Sequence, residues 1–321
     1  MTTDVNTTQY ALQEFRTKAK DDIFGQDAAI DALADELGRC FENRSGNRSP
    51  GVFVLTGPDL SETKMELAHM LAAALGAAGK IYDLSPPWGG EDALILGLKP
   101  TLPHTMSLQH HLHDSPRSVI LIHAIDLAHP TIVNRLMSAW TSGRLLGPSG
   151  EEISTREAIF ILTTELAQGE IGELARKVID PDRLHVSAVK VLADAGFPIP
   201  VLRSIDAVVC LKRLTAGELT RDYCKDLEEQ VRAQGLVLDE GGLDARLVTY
   251  GLEPAIGAYT QGENALKERL DADLARVKDD GAKRVRLVLG KERILVLPVD
   301  QPLKEPASAP GSADQEGSGD E

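Results

Sequence analysis

The stretch that most constrains the fold is residues 51–75, GVFVLTGPDLSETKMELAHMLAAAL. Its first six residues form an apolar run rich in β-branched and aromatic side chains, which is typical of a buried strand. From Thr63 onward apolar residues recur at helical spacing, among them Leu67 and Leu71. A strand, a short loop and a helix is the layout of a phosphate-binding loop, in which backbone N–H groups at a helix N-terminus surround phosphate.

The loop itself departs from that motif, which requires Gly, four residues, and then Gly-Lys-Ser/Thr. After Gly57 the second glycine is absent, Lys64 stands one position late, and Met65 replaces the hydroxyl residue that would bind Mg²⁺. Asp59 and Glu62 add carboxylates where phosphates would lie, and a carboxylate repels a phosphate group close to it because both are negatively charged. The sequence therefore favours a loop that keeps its architecture and has lost its ligand.

Composition excludes several classes of partner and location. The formal net charge of -15 argues against nucleic acid or an anionic membrane as the main partner. The chain has no apolar run long enough to span a membrane, and MTTDVNTTQY lacks the basic and apolar regions of a secretory signal. Its three cysteines have no metal-ligand spacing, which indicates buried structural thiols in a reducing, cytoplasmic setting: Cys40, Cys210 and Cys224.

Strands and helices alternate through the first two thirds of the chain, which predicts an α/β fold with a parallel sheet between helices. This large domain is predicted at 20–213, after an N-terminal extension at 1–19. Strands are expected at 51–56, 80–85, 118–126, 158–165 and near 206–212, and helices at 10–20, 108–114, 129–143 and 170–195.

The character of the sequence changes near Thr215. Amphipathic helices are followed by RVRLVL and RILVLPV, which predict a terminal β-hairpin. We expect a small C-terminal α+β domain at 214–300. The remaining residues, 301–321, are rich in Pro, Ser, Gly and acidic side chains and predict a disordered acidic tail.

From about residue 20 to 300 the chain resembles one AAA+ module of the Clp-type unfoldase chaperones, and most of all their second ATPase ring. The resemblance implies the AAA+ P-loop NTPase fold with a small C-terminal lid domain. It rests on IFGQDAAIDALADEL, on the strand–loop–helix above, on SVILIHAIDLAHPTIVNRLMSAWTSGRLLGPSGEEISTREAIFILTTEL, on RSIDAVVCLKRLT and on YGLEPAIGAYTQGENALKERLDADL.

The same resemblance implies that the catalytic positions of the family are degenerate here. The Asp-Glu of the Walker B strand falls on His123 and Ala124, and the sensor asparagine falls on Glu165. The arginine finger falls on Ser204, and the lid-domain arginine on Tyr259. The region of the family's pore loop, GLKPTLPHTM at 97–106, has no aromatic residue.

No catalytic residue and no cofactor are therefore expected, and ATP with Mg²⁺ enters only under an alternative hypothesis. If nucleotide binds, the resemblance places it on Phe24, Gly25, Gly57, Pro58, Thr63, Lys64, Arg203 and Tyr259. Metal ligation by the histidines is a weaker hypothesis than a surface helix that carries several of them, so no metal site is expected. The histidines concerned are His104, His110, His111, His113 and His123.

Three functional hypotheses follow. The first is a pseudo-ATPase that serves as scaffold, adaptor or regulator for protein partners, such as an active AAA+ motor, a secretion apparatus or another assembly. The second is an atypical ATP-binding ATPase or chaperone with nucleotide-dependent oligomerisation. The third is a structural subunit of a homo-oligomer, in which the carboxylates of the loop contact a neighbour.

Overall fold

A computed structural model of the chain describes residues 5–44, 46–58, 61–83, 107–146, 150–250, 262–290 and 294–299. The chain divides into two compact units, Met1–Leu214 and Thr215–Glu321. Within the described residues, no helix is both long enough and apolar enough to cross a membrane.

The first unit is an alternation of helices and strands. Its helices are α1 (Val5–Asp22), α2 (Asp27–Glu42), α3 (Ser61–Ala74), α4 (Leu108–Asp114), α5 (Pro130–Thr141), α6 (Gln168–Lys177), α7 (Pro181–Asp194) and α8 (Ile199–Leu202), with a 3-10 turn at Ile125–Leu127. Its strands are β1 (Gly51–Thr56), β2 (Ala78–Asp83), β3 (Ser118–His123), β4 (Arg144–Leu146), β5 (Glu152–Ser154), β6 (Ile159–Thr163) and β7 (Ala207–Cys210).

Five of these strands form one parallel sheet in the order β2-β3-β6-β1-β7. Ile122 is in register with Leu162, Leu55 with Thr163, and Thr56 with Cys210. Because the strands are parallel, their carboxyl ends lie along a single edge, and the residues that follow them are brought together there.

The sheet lies between two apolar layers, as the expected α/β fold requires. Val52 and Val54 of β1 pack into one buried cluster, whereas Phe53 and Leu55 pack into the other. This alternation follows from the period of two in a strand. The helix α2, which follows the IFGQ segment, buries an apolar stripe in the second cluster: Ile30, Leu33, Ala34 and Leu37.

Several element boundaries differ from the sequence prediction. The helical stretch expected at 170–195 is two helices, because Asp180 accepts a hydrogen bond from the Arg183 N–H as N-cap and Pro181 begins a new helix. The strand expected at 80–85 occupies Ala78–Asp83. The first helix begins at Val5 rather than at residue 10, and Thr8 in the added part of the helix is buried.

The second unit contains α9 (Ala216–Ala233), β8 (Val237–Leu243), α10 (Ala245–Tyr250), α11 (Gly262–Asp279), β9 (Arg284–Leu289) and β10 (Ile294–Pro298). The predicted hairpin is present as the antiparallel pair β9–β10. Sequence analysis missed β8, whose VLDEGGL has no strand pattern. The strand exists because it pairs in parallel with β9 and because Asp239, only 8% exposed, bonds Arg284 and Arg286 across it.

Candidate nucleotide cleft

The loop after β1 begins in close contact with the end of β7. Gly57 has a φ of +132°, and a Cβ atom there would lie 2.4 Å from the carbonyl oxygen of Leu211. The Leu211 N–H in turn donates to the carbonyl oxygen of Thr56 at 2.8 Å. Both the backbone angle and the close approach require glycine, so this position of the phosphate-binding motif is retained for structural reasons.

Pro58 fixes the next step of the loop against α6. A Cβ atom at Gly172 would lie 2.6 Å and 2.8 Å from the Cγ and Cδ atoms of Pro58, so the ring sits directly on the helix backbone. The next two loop residues, which include Asp59, lie outside the described residues, as does the side chain of Glu62. The described part of the loop is therefore held by apolar packing on α6 and by β7.

Lys64 is buried in the first turn of α3, with 1% of its surface exposed. Its Nζ atom donates to the carbonyl oxygen of Gly57 at 3.5 Å. A buried ammonium group needs such polar partners, because an isolated charge is expensive to remove from water. The lysine of the motif is thus directed at the backbone of its own loop, beside the half-buried Thr63.

At the carboxyl end of β3, where the resemblance places the family's two carboxylates, the chain has an imidazole and a methyl group. His123 Nδ1 lies 2.7 Å from the hydroxyl of Thr163, and the same hydroxyl accepts the Ala124 N–H at 3.2 Å. Ala124 is buried in a left-handed conformation, with φ 53° and ψ 48°. Thr163 was not singled out in the sequence, and its position beside β3 in the sheet explains its role.

Glu165 lies at the same edge, two residues beyond the end of β6. Its side chain is exposed, and we find no hydrogen bond or ion pair from it to any residue that the structure describes. The preceding residue, Thr164, is buried and its hydroxyl accepts the Leu166 N–H at 3.1 Å. A carboxylate therefore replaces the amide that the resemblance places at this sensor position.

The IFGQ turn is anchored to the same edge by one glutamine. Gln26 is 2% exposed; its Nε2 donates to the Lys212 carbonyl at 3.1 Å, and its Oε1 accepts the Lys212 N–H at 3.0 Å. This two-way bond holds Phe24 and Gly25, which has a φ of +75°, beside the segment that touches Gly57. The sequence predicts a turn that includes Gln26, and only the structure shows that this glutamine anchors the turn to Lys212.

Arg203 and Ser204 do not join this cleft. Both precede β7, whose four residues span about 13 Å, so they lie toward the opposite edge of the sheet. Ser204 accepts a hydrogen bond from the buried Trp140 indole N–H at 3.0 Å and donates to the Val201 carbonyl at 2.8 Å, whereas the Arg203 side chain is exposed. The arginine-finger position has thus become a structural hydroxyl.

Two further sequence-predicted features lie outside the described residues: Tyr259 and the segment 97–106, with His104. Of the other histidines, His111 contradicts the surface-helix interpretation because it is 9% exposed and its Nε2 lies 3.0 Å from the Ser118 hydroxyl. His110 and His113 are exposed. Across the described ranges, no group of three or more His, Cys, Asp or Glu side chains is placed to hold a metal ion.

The cysteines only partly match the expectation of buried thiols. Cys210 is buried at the end of β7, and burial raises its pKa to about 12. Cys40 and Cys224 are only partly buried. Within the described residues all three cysteines are free.

The two residues that the resemblance places at the Walker B carboxylates, His123 and Ala124, do not supply the oxygen ligands that Mg·ATP requires. Mg²⁺ is held in nucleotide sites by carboxylate and hydroxyl oxygens, and hydrolysis needs a general base that orients water. At the end of β3 the structure offers His123, already bonded to Thr163, and Ala124, which has no proton acceptor. Two buried oxygens nearby have no hydrogen-bond partner among the described residues, Thr56 Oγ1 and Asp126 Oδ1.

A parallel sheet whose first strand runs through a glycine loop into a helix, with β3 ending beside it, defines the class as a P-loop NTPase α/β fold of the AAA+ type. Comparison with known proteins narrows the class.

No family model matches the chain, but curated chaperones do. Chaperone protein ClpB 2 of Parasynechococcus marenigrum (strain WH8102) is 27% identical over 265 residues, which cover 79% of this chain and 29% of that protein. The ATP-dependent Clp protease ATP-binding subunit ClpE of Streptococcus pneumoniae is 26% identical over 257 residues, 74% of this chain and 33% of that subunit. The ClpB chaperone of Lactiplantibacillus plantarum is 28% identical over 256 residues, with 74% and 28% covered.

The chain spans about a third of the length of these curated relatives. Together with the fold, these matches show that the chain is similar to an AAA+ module of the Clp-type chaperones.

Proposed function

We propose that this Clp-like module is a pseudo-ATPase that acts as a scaffold, adaptor or regulator within a protein assembly. The observation that carries the proposal is the end of β3, where His123 is bonded to Thr163 and Ala124 follows in a left-handed conformation. Neither residue supplies the carboxylates that a magnesium ion and an attacking water require. The exposed carboxylate of Glu165 at the same edge adds negative charge where a γ-phosphate would lie.

The residues that shape the cleft have structural roles of their own. Gly57, Gln26 and Pro58 are each used for packing or hydrogen bonding within the chain, so the fold keeps them without any ligand. The partners we propose are proteins, such as an active AAA+ motor or a secretion or assembly apparatus, in the cytoplasm. Nucleic acid is disfavoured as a partner by the net charge of -15.

The test is steady-state ATP hydrolysis by the intact chain with Mg²⁺, beside a Lys64→Ala variant. We expect phosphate release from both proteins at the level of a protein-free blank, because neither His123 nor Ala124 offers a carboxylate that could orient the attacking water. A matched Lys80→Ala variant controls for the loss of a lysine elsewhere. Turnover that is robust in the original chain, intact in the Lys80 variant and absent in the Lys64 variant would refute the proposal.

A second candidate is an atypical nucleotide-binding protein with nucleotide-dependent oligomerisation. It is supported by Thr56 Oγ1 and Asp126 Oδ1, because buried polar atoms are normally satisfied and a ligand or its water shell would satisfy them. Titration calorimetry with ATP separates the two candidates. Saturable heat that disappears in Lys64→Ala supports the second, and no heat in either protein supports the first.

A further inference from the structure

A cavity of about 290 Å³ lies at the other edge of the sheet, between α2 and the starts of β1 and β7. Its wall carries Arg39, Arg44 and Arg48, together with Glu36, Asp206 and Cys40. We propose that this arginine pocket binds a carboxylate side chain from an acidic segment of a protein partner. The proposal concerns a site apart from the nucleotide cleft, and it stands whether or not that cleft hydrolyses ATP.

One wall of the arginine pocket is rigid. Arg48 Nη2 donates to Asp206 Oδ2 at 2.9 Å, and the same oxygen accepts the Val52 N–H at 2.8 Å. The Nε atom of Arg48 is buried and makes no hydrogen bond within the described part of the chain. A buried guanidinium N–H without an acceptor is unusual, so this arginine keeps one donor that the described residues do not use.

The other wall is adaptable. Arg39 pairs with Glu36 at 3.1 Å, three residues apart on the surface of α2, and exposed pairs of this kind are weak enough to exchange partners. Arg44 is exposed and donates to the Arg156 carbonyl oxygen, and among the described residues no carboxylate lies within ion-pair distance of it. Two guanidinium groups are therefore available at the mouth of the pocket without disturbing the fold.

Charge and shape favour a carboxylate over a more highly charged anion. Three arginines face two acidic residues, and the thiol of Cys40 adds no charge because burial, with Asp206 and Glu36 nearby, raises its pKa to about 12. When both acids are ionised the surplus is a single positive charge, which one carboxylate neutralises. A planar carboxylate also matches the guanidinium fork, with two parallel N–H···O bonds.

The occupant fits the rest of the molecule as well. In a chain with a net charge of -15, a concave site whose wall carries three arginines is a local exception, and it directs an acidic partner to one face. A nucleic acid would need a wider basic surface, with many phosphate contacts.

The test is fluorescence anisotropy with a labelled oligoglutamate peptide and the intact chain at low salt, with an oligoglutamine peptide as the neutral control. We expect saturable binding of oligoglutamate alone. The double variant Arg39→Gln/Arg44→Gln should bind at least about tenfold more weakly, because each bidentate contact is worth roughly that factor. The matched control is Arg232→Gln, an exposed arginine in the second unit, which should bind as the original chain does.

A second variant guards against loss of the fold. Glu36→Gln leaves all three arginines in place and removes a competing carboxylate, so it should bind the peptide several times more tightly. The proposal is overturned if the double variant binds as well as the original chain, if Glu36→Gln weakens binding, or if inorganic phosphate displaces the peptide at lower concentration than free glutamate does.

Discussion

Ala124 has a left-handed backbone where the resemblance places the general base. For residues with a Cβ atom this conformation costs about 1–2 kcal/mol, and Ala124 is buried, so no solvent contact relieves it. The conformation persists because the Ala124 N–H is bonded to Thr163 and the 3-10 turn follows at once. Strain of this kind indicates that the fold depends on the backbone conformation at this position rather than on the side chain.

Replacing Ala124 with glycine should therefore stabilise the protein. Relief of the left-handed penalty exceeds the entropy that glycine adds to the unfolded chain, which leaves a gain of about 0.5–1 kcal/mol. Denaturant unfolding monitored by circular dichroism measures this. Ala188→Gly, in the interior of α7, is the matched control and should lose about 1 kcal/mol. A loss in both variants would contradict the strain argument.

His111 makes the stability of the first unit depend on pH. Burial lowers the pKa of His111 below its ordinary value of 6.5; the charge of Lys80 lowers it further by a smaller amount, and Asp114 opposes both. The Ser118 hydroxyl donates to Ser115, so it accepts from His111 Nε2–H, and the neutral ring can make this bond without carrying a charge into the core. The folded state therefore prefers neutral His111, and the unfolded state takes up the proton first.

The contribution of neutral His111 to the free energy of unfolding should thus be fully present above pH 6.5. It should be lost as the pH falls from 6.5 through the lowered pKa of His111 in the folded state. His111→Gln should flatten that part of the profile, whereas His113→Gln, on the exposed side of the same helix, should leave it unchanged. Unfolding curves between neutral and mildly acidic pH measure the effect. Equal slopes in the original chain and in His111→Gln would exclude this histidine as the cause.

At the scale of elements, the loop between β1 and α3 is positioned by α6 as much as by its own sequence. The Pro58 ring lies on the backbone of α6 at Gly172, in space that any side chain would occupy. Packing of this kind requires both a glycine in the helix and a proline in the loop, which lie more than a hundred positions apart.

Gly172→Ala should destabilise the protein by about 1–3 kcal/mol, the usual cost of overpacking a buried contact. The same helix offers a control: an added Cβ atom at Gly169 meets nothing within 4 Å, so Gly169→Ala should be neutral or stabilising by up to about 1 kcal/mol. A double-mutant cycle with Pro58→Ala tests the contact itself. If Pro58→Ala does not recover stability in the Gly172→Ala background, the contact is not the cause.

For the whole molecule, the pseudo-ATPase proposal predicts that the oligomeric state does not depend on nucleotide. Mg·ATP can shift an oligomer equilibrium only through a difference in its affinity for the two states. Light scattering should give one molar mass with and without Mg·ATP, at equal protein concentration. A molar mass larger than that of one chain, and the same with and without Mg·ATP, supports the structural homo-oligomer hypothesis. A molar mass that rises when Mg·ATP is added contradicts the pseudo-ATPase proposal.

The sequence by itself determined the α/β class, the alternation of buried strands with helices, the terminal hairpin and the residue types in the loop after the first strand. These follow from local patterns: apolar runs of strand length, helical spacing, and the identity of residues in a short loop. Such patterns can be interpreted without knowledge of the fold, because each depends only on residues that are close together in the chain.

Only the tertiary structure decided which distant residues meet. It placed Thr163 against His123, Trp140 against Ser204, Gly172 against Pro58 and Gln26 against Lys212, and it made a strand of VLDEGGL. It also buried His111 and moved Arg203 to the edge away from the cleft. The reason is physical: these contacts arise from the order and direction of strands in the sheet, which bring together positions that no local pattern connects.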